Sequence, residues 1–476
     1  KANLMTNRLK ADLETLQKEY VLVQAFKKTV SYIRSHNWFA DVLELDRVVV
    51  DYPHFLEQLQ SVLANSAKWR SRPVRLVLAP KSAPWRIRHQ NNHVHWEPVS
   101  KSGETEAIAK LRPLAHVALR DQVVATALMM CIADAVETRQ GDPTLDISKP
   151  GNRRKVLSYG NRLVCDSTGA GRKARLRHRW GSTKLYRSYF ADYRTFVARP
   201  EIVAAAIGER SKAYTVIVHS DLSKFYDRVR PDQLHKKLRD FTDPENQGSA
   251  FHDLVTRVLS WKWHKDDREA AATVLSGIPG SNIIGLPQGL VASGFFANCF
   301  LLDFDDALRD CFDLEVGDGV VLRDAARYVD DLRFVVEADK RLDLKTIEEI
   351  VRRWVEEQLV RTAPGLENGL NGEKTEAVSF HDPEKVIVFQ SRRMQRIQGT
   401  VSGGFDAQGG TQLLAAIEGL FNTIGQFTDL NNDDGRSTWP LRTVPDVNDE
   451  TVARFAAARY RTTFRSLRPL LDNEVI

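Results

Sequence analysis

The sequence predicts an α+β protein, because helical and strand patterns occur side by side in one chain. Apolar residues recur at helical spacing in 4–63 and again in LKTIEEIVRRWVEEQLV at 344–360. YTVIVHSD at 214–221 is rich in β-branched residues and is typical of a buried strand, and RYVDDLRFVV at 327–336 is typical of a hairpin. These segments predict a mixed fold.

Composition places the chain among ordinary globular proteins. Its 476 residues, 42% hydrophobic and 27% charged, suffice for about two to four domains or subdomains. The net charge of +6 mildly favours a polyanionic partner. The four cysteines are scattered without a CxxC pair, which argues against a zinc module and fits a reducing compartment. The longest apolar stretch, 290–302, is too short to span a bilayer. We therefore expect a cytoplasmic protein without membrane association.

The remaining elements follow from local patterns. The prolines and the alternation in RPVRLVLAP predict strands and turns across 66–113. Periodicity predicts helices at 120–137, within the polar region 231–270, and at about 290–311. After about residue 400, a Gly-rich segment leads into further helical patterns.

The segment 152–197 is the most basic part of the chain. From Arg153 to Arg194 there are twelve Lys or Arg residues against two Asp, with aromatic residues between them. Two interpretations stay open: a solvated charged face, or a groove that follows a phosphate backbone. The residues that we expect to contact nucleic acid in the second case are Arg162, Arg172, Lys173, Arg175, Arg177 and Arg179.

Two adjacent aspartates, Asp330 and Asp331, interrupt the apolar strand pattern of 327–336. Neighbouring carboxylates repel each other, and each costs several kcal/mol to desolvate unless a cation compensates. A hairpin whose tip presents both acids to a bound metal would resolve this conflict. The alternative is a surface turn with solvated acids.

Two other motifs carry chemistry. Asp221 ends a buried strand, where open sheets often present functional groups, although it would equally serve as a helix N-cap. Leu-Pro-Gln-Gly at 286–289 predicts a tight turn into a helix, and Gly289 would let a base or sugar approach the backbone. The alternative for this motif is an ordinary helix start.

The order of these motifs resembles the palm of reverse transcriptases: strand with Asp, then LPQG, then Tyr-x-Asp-Asp. LRPLAHVALRDQVVATAL at 111–128 and SYGNRL at 158–163 are similar to segments of retron, group II intron and related bacterial enzymes. LNGEKT at 370–375 is similar to the family's motif D loop. The resemblance covers about residues 105–400.

The resemblance implies a right-hand polymerase with fingers, palm and a short helical thumb, preceded by an N-terminal helical extension. The domains that it implies are the extension at 1–65, fingers at 66–212, palm motif A at 213–230, connecting helices at 231–275, palm motifs B to D at 276–395 and a thumb-like region at 396–476.

The resemblance also implies the catalytic chemistry. Two Mg²⁺ ions, for which Mn²⁺ is a substitute, would stabilise the attacking 3′-oxygen and the leaving pyrophosphate, and such ions need hard oxygen ligands. The implied ligands are Asp221, the Leu222 carbonyl, Asp330 and Asp331. Lys374 would protonate or steady the pyrophosphate, and completes the catalytic set.

The implied nucleotide site has three parts. Arg112, with Lys110 beside it, would bind the triphosphate. Gln288 and Gly289 would contact the incoming nucleotide or the template base. Tyr226 stands where the family's aromatic residue blocks a ribose 2′-OH, so we expect deoxynucleoside triphosphates as substrates.

Within the family, the chain most resembles the defence-associated, unknown-group (abortive-infection-like) enzymes, since it reads RPLAH where intron enzymes have RPLGIP. This predicts a dedicated noncoding RNA as template, a DNA product and a role in antiphage defence, with a homo-oligomer or an accessory defence protein as further partners. The alternatives are a retron-type self-primed enzyme, a protein-primed or untemplated DNA polymerase, and an RNA-binding maturase-like scaffold.

Overall fold

We describe the fold from a computed structural model of the chain. The described residues are 8–36, 42–80, 85–90, 93–98, 111–169, 171–208, 214–242, 249–275, 284–372 and 374–380. All of them precede the boundary at Phe380 between the two compact units of the chain.

Helices and strands are interspersed along this part of the chain. The helices are α1 (Leu13–Gln17), α2 (Glu19–His36), α3 (Val42–Val50), α4 (Tyr52–Ala64), α5 (Leu119–Gln140), α6 (Pro150–Arg153), α7 (Tyr189–Gly208), α8 (Phe225–Arg228), α9 (Pro231–Arg239), α10 (Ala250–Val258), α11 (Arg268–Val274), α12 (Ser293–Asp310) and α13 (Leu344–Thr362). The strands are β1 (Arg75–Pro80), β2 (Trp85–Gln90), β3 (His93–Pro98), β4 (Leu111–His116), β5 (Cys165–Thr168), β6 (Arg175–His178), β7 (Tyr214–Asp221), β8 (Glu315–Gly317), β9 (Val320–Tyr328), β10 (Asp331–Ala338) and β11 (Glu376–Ser379).

A five-stranded antiparallel sheet, which we call the main sheet, organises the described residues. Its strand order is β11-β7-β10-β9-β8. The smaller sheets are the antiparallel pairs β1–β4, β2–β3 and β5–β6. The hairpin predicted at 327–336 is confirmed as β9–β10, and its turn consists of Val329 and Asp330.

The main sheet has a distinct set of helices on each face. Phe334 of β10 contacts Trp354 of α13, with the ring centroids 6.1 Å apart. The next residue back, Arg333, lies on the other face, and its guanidinium is 4.9 Å from the ring centroid of Phe196 in α7. Because side chains alternate along a strand, Asp331 also belongs to the α7 face.

The three strongest predicted helices are confirmed. They are α5, α12 and α13, each within three residues of the predicted bounds. Most side chains of α5 and α12 are buried all round, so these two helices form the centre of the core. By contrast, α13 buries one side only, from Ile347 to Leu359, as its amphipathic pattern predicts.

The N-terminal helices pack on this core through α2. Its Lys28 is fully buried, and the ammonium donates hydrogen bonds to the main-chain carbonyls of Arg179 (3.1 Å), Ser182 (2.5 Å) and Lys184 (3.2 Å). Burial lowers the pKa of Lys28 to about 8. Helix α2 is therefore bonded to the loop that follows β6.

The domain boundaries stay a prediction, and the thumb-like region at 396–476 lies outside the described residues. Among the helices that the structure describes, none combines the length and the apolar character needed to cross a bilayer.

Candidate active site

Three acidic residues lie at one end of the main sheet. Strand β7 ends at Asp221 and strand β10 begins at Asp331, and these two residues are direct partners in the antiparallel register. Residues so paired have Cβ atoms about 4.5–5.5 Å apart. Asp330 lies in the adjacent turn, and its carbonyl accepts a hydrogen bond from the Leu222 N–H at 3.0 Å. The end of the sheet thus gathers the acids that the sequence predicts as metal ligands.

The electrostatics of Asp330 reflect this crowding. Burial, reinforced by the negative charge of Asp221, raises the pKa of the Asp330 carboxyl to about 6. The positive charges of Lys374 and Arg112 act in the opposite direction but do not offset it. Asp330 therefore lies where its charged form is costly without a closer cation.

Lys374 contacts the acids directly. Its ammonium is 2.7 Å from Oδ2 of Asp221, and its side chain is 62% exposed. Burial lowers the pKa of Lys374, but the bond to Asp221 and the charges of Asp331 and Asp330 outweigh this, so the net shift is upward. The segment that carries Lys374 is held by Asn371, whose N–H donates a hydrogen bond to the Asp221 carbonyl at 2.9 Å. Lys374 thus stays charged beside the carboxylates.

The chemistry of this donor set fits Mg²⁺, which prefers carboxylate and carbonyl oxygens. Among the described residues, however, no three His, Cys, Asp or Glu side chains converge as a ready-made metal site. One oxygen of Asp221 is instead bonded to Lys374. The donors are suitable, and their arrangement around two ions stays a prediction.

The turn that carries Asp330 is strained and strongly supported. Val329 has a φ of 58°, a left-handed conformation that is rare for a β-branched residue. Its carbonyl accepts a hydrogen bond from Arg327 at 3.0 Å, and the buried Arg327 is itself held by Asp305 through two bonds of 2.7 and 2.8 Å. A Cβ on Gly160 would lie 2.7 Å from the Val329 nitrogen, so only glycine fits beside the turn.

Tyr226 is held by contacts from two distant segments. Its hydroxyl accepts a hydrogen bond from Nδ2 of Asn161 at 3.2 Å, and its carbonyl accepts one from the Leu286 N–H at 2.8 Å. Burial and the charge of Asp330 raise the pKa of Tyr226 above its ordinary value. Asn161 is left-handed, and Gly294 approaches it so closely that a Cβ there would lie 2.6 Å from the Asn161 amide. The ring therefore has a defined position near Asp330.

The LPQG turn is fastened to both α5 and the Tyr226 segment. Gln288 donates to Oδ1 of Asp227 at 3.2 Å. Gln122 of α5 donates to the Gly289 carbonyl and accepts from the Val291 N–H, each at 2.8 Å. These bonds place Gln288 and Gly289 beside Tyr226.

Arg112 is exposed on β4, and its charge acts on Asp330, as a triphosphate ligand near the acids should. Lys110 lies outside the described residues.

The chain was also compared with known protein families. Residues 188–379 match the family model described as reverse transcriptase (RNA-dependent DNA polymerase). Over these residues, the chain is similar to reverse transcriptases. It is accordingly a nucleotidyltransferase, an RNA-directed DNA polymerase, and such domains use an RNA template, deoxynucleoside triphosphates and, in general, divalent metal ions. No curated protein matches the chain at a significant level.

The basic hairpin β5–β6 precedes the residues that the family model matches. Leu176 and His178 of β6 are buried, whereas Arg175, Arg177 and Arg179 lie on the opposite, outward side. Lys173 is also exposed, and the side chain of Arg172 lies outside the description. An arginine at every second position suits contact with successive phosphates.

Two of these arginines also have acidic neighbours. Arg177 is 2.9 Å from Asp134, and Arg179 is 2.5 Å from Asp166. Both pairs are partly exposed, and such pairs are weak, so a phosphate can compete for the arginines.

The structure corrects the prediction for Arg162. This residue is fully buried, and its guanidinium donates to Oε2 of Glu137 and to the Ser158 carbonyl, each at 2.8 Å. Its position suits a structural role rather than contact with nucleic acid, because its charge is neutralised inside the core.

Asn161, Arg327 and Gln122 were not predicted as site residues. Asn161 lies inside the SYGNRL motif, and Arg327 lies two residues before the turn. The position of each polar residue within a recognised motif could have indicated that it belongs to the site. Nothing in its own segment distinguishes Gln122, because its partners Gly289 and Val291 are far away in sequence.

Proposed function

We propose that this reverse transcriptase extends DNA on RNA by two-metal phosphoryl transfer, and that it does so in the cytoplasm on a dedicated noncoding RNA in antiphage defence. One observation carries the catalytic part of the proposal. Asp221 lies far in sequence from the adjacent pair Asp330 and Asp331, yet all three lie at the same end of the main sheet, and burial raises the pKa of Asp330 to about 6. Clustered acids of this kind are costly unless a function requires them.

The residues that would hold the ions are Asp221, Asp330, Asp331 and the Leu222 carbonyl. Two Mg²⁺ ions, or Mn²⁺ in their place, supply positive charge to the attacking 3′-oxygen and to the leaving pyrophosphate. Lys374 and Arg112 would bind the phosphates, since both are exposed cations whose charges act on the same acids.

Sugar selection is proposed to depend on Tyr226. Its ring lies near Asp330, its hydroxyl is bonded to Asn161 and its carbonyl to Leu286, so a ribose 2′-OH would meet a side chain held in position. Gln288, bonded to Asp227, would contact the nucleotide or the template base next to that sugar.

The proposed template is supported more indirectly. The outward arginines of β6 offer phosphate contacts, and the sequence most resembles the defence-associated enzymes, for which a partner RNA is the expectation. A homo-oligomer or an accessory defence protein belongs to the same proposal.

The test is to purify the protein with its bound nucleic acid, add Mg²⁺ and labelled deoxynucleoside triphosphates, and sequence both the RNA and the product. We expect DNA complementary to one discrete copurified RNA, and no DNA from the Asp330→Asn variant, which should retain that RNA.

Other outcomes would contradict the proposal in distinct ways. A homopolymer, or DNA attached to the protein, would indicate untemplated or protein-primed synthesis. DNA joined to a 2′-oxygen of the RNA would indicate a retron-type enzyme. Bound RNA without any DNA synthesis would indicate a scaffold.

A further inference from the structure

An aromatic cluster lies where α7 begins, beside the catalytic hairpin. The rings of Tyr189 and Tyr193 are stacked, with centroids 5.3 Å apart and planes within 11°. Tyr328 of β9 contacts both rings edge-on, at 5.3 and 5.1 Å. Tyr328 is buried, whereas Tyr189 is 41% exposed. The cluster therefore ends in an aromatic ring that solvent reaches.

This cluster is on the same face of the main sheet as the acids. Tyr328 is the register partner of Asp331, which is in turn the partner of Asp221. Side chains of direct partners share a face, so Tyr328 and both acids lie in one row on the α7 face. Tyr189 and Tyr193, at the start of α7, contact Tyr328 on this face.

The order of the strands shows which residue lies at each end of this row. Tyr226, the proposed sugar gate, follows β7 at one end, and Tyr328 is on β9 at the other, with β10 between them. Two strand spacings amount to about 10 Å. If the incoming nucleotide lies at the Tyr226 end, the strand being extended must approach the acids from the Tyr328 end, because the two reactants meet at the metals.

We propose that Tyr189, backed by Tyr193, stacks against the base of the primer-terminal nucleotide. This rests on the proposed polymerase function and names a contact that the function alone does not assign. Every base has a π face, so stacking would hold primers of any sequence at their growing end. The edge-on contacts of Tyr328 keep the stacked pair in place, and this pre-organisation lowers the entropy lost on binding.

The test compares two exposed tyrosines. Tyr189→Ala removes the proposed contact, whereas Tyr52→Ala is a matched control, because Tyr52 is 42% exposed and stacks on Phe26 in the N-terminal helices. Affinity is measured for the full chain with a DNA primer annealed to an RNA template. We expect Tyr189→Ala to weaken binding about 5- to 150-fold. Tyr52→Ala and Tyr189→Phe should bind as the wild type does.

An abasic primer terminus makes the test specific. If Tyr189 stacks on the terminal base, removing that base from the primer should weaken wild-type binding by a similar factor, and Tyr189→Ala should then cause no further loss. A loss that persists with the abasic terminus would overturn the proposal. So would a loss that disappears only when a template base or the penultimate primer base is removed.

Failure of the stacking proposal and failure of the proposed function are distinguishable. If the wild-type enzyme extends the primer and Tyr189→Ala binds it equally well, only the stacking contact is wrong. If the wild-type enzyme extends no primer on RNA, the proposed function itself is wrong.

Discussion

Asp324, which is buried, and Asp330, which is partly buried, lie six residues apart on the same hairpin, yet their surroundings are opposite. Asp324 of β9 accepts two hydrogen bonds from the buried Arg199, at 2.6 and 2.7 Å. Asp330 instead lies beside another acid, Asp221, and burial raises its pKa to about 6. The counter-ion of Asp324 is the arginine Arg199 of the protein itself. Asp330 lies beside a second acid, so its charged form requires an added cation.

The two acids therefore differ in role: Asp324 serves the stability of the sheet, whereas Asp330 belongs to the candidate active site. Removing one partner of a buried ion pair such as Asp324–Arg199 destabilises the fold, because the other partner is then a buried charge without compensation. An acid cluster such as Asp221–Asp330 opposes folding and is expected where function needs it. Substitutions at the two places should therefore change different measured quantities.

The largest effect is expected from Asp330→Asn. The rate of DNA synthesis should fall at least about a thousandfold, because several kcal/mol of transition-state stabilisation are lost with the metal ligand. The free energy of unfolding, measured by urea denaturation with EDTA present, should not decrease, because a partly buried charge that repels Asp221 is removed. Retained synthesis would contradict the role given to Asp330.

Asp324→Asn should show the reverse behaviour. It leaves the buried Arg199 without its carboxylate, so the free energy of unfolding should fall by about 3–5 kcal/mol. The partly exposed Asp339 forms an ion pair with the exposed Arg341, and Asp339→Asn is the control, which should change the unfolding curve far less. Equal effects of the two substitutions would show that burial does not separate these pairs.

Tyr226→Ala is expected to change selectivity rather than stability or rate. Without the ring, discrimination against ribonucleotides should fall about tenfold or more, because a steric exclusion is removed. The measurement is the ratio of kcat/KM for a deoxynucleoside triphosphate to that for its ribonucleotide. An unchanged ratio would mean that another residue excludes the 2′-OH.

Asn161→Ala should have the smallest effect on the same ratio, about twofold to tenfold, since one hydrogen bond to the Tyr226 hydroxyl is lost. Tyr226→Phe removes the same bond from the other side and serves as the matched variant. The double variant should be no worse than either single variant, because both act through one contact. Additive effects would show that Asn161 acts elsewhere.

The residue pattern within each segment predicted the strands and helices. It could not predict contacts between segments that are far apart in sequence. β-branched residues and alternation indicated β7 and the β9–β10 hairpin, and acids at their ends had to meet once these strands paired. Charge counts could not separate the buried Arg162 from the exposed Arg175, because burial depends on Glu137, 25 residues earlier on α5. Likewise, 65 residues separate Asn161 from Tyr226.

Lys28 has a consequence for how the molecule opens. With three carbonyls around its ammonium, this lysine is shielded from reagents for as long as α2 stays on the loop after β6. The pKa of about 8 belongs to the closed state, because burial causes it; once released, the hydrated amine returns towards the ordinary pKa of a lysine and reacts as an exposed lysine does. The rate at which an amine-reactive reagent modifies Lys28 therefore measures local opening between the N-terminal helices and the basic hairpin. Lys28 is therefore a natural reporter group for that opening.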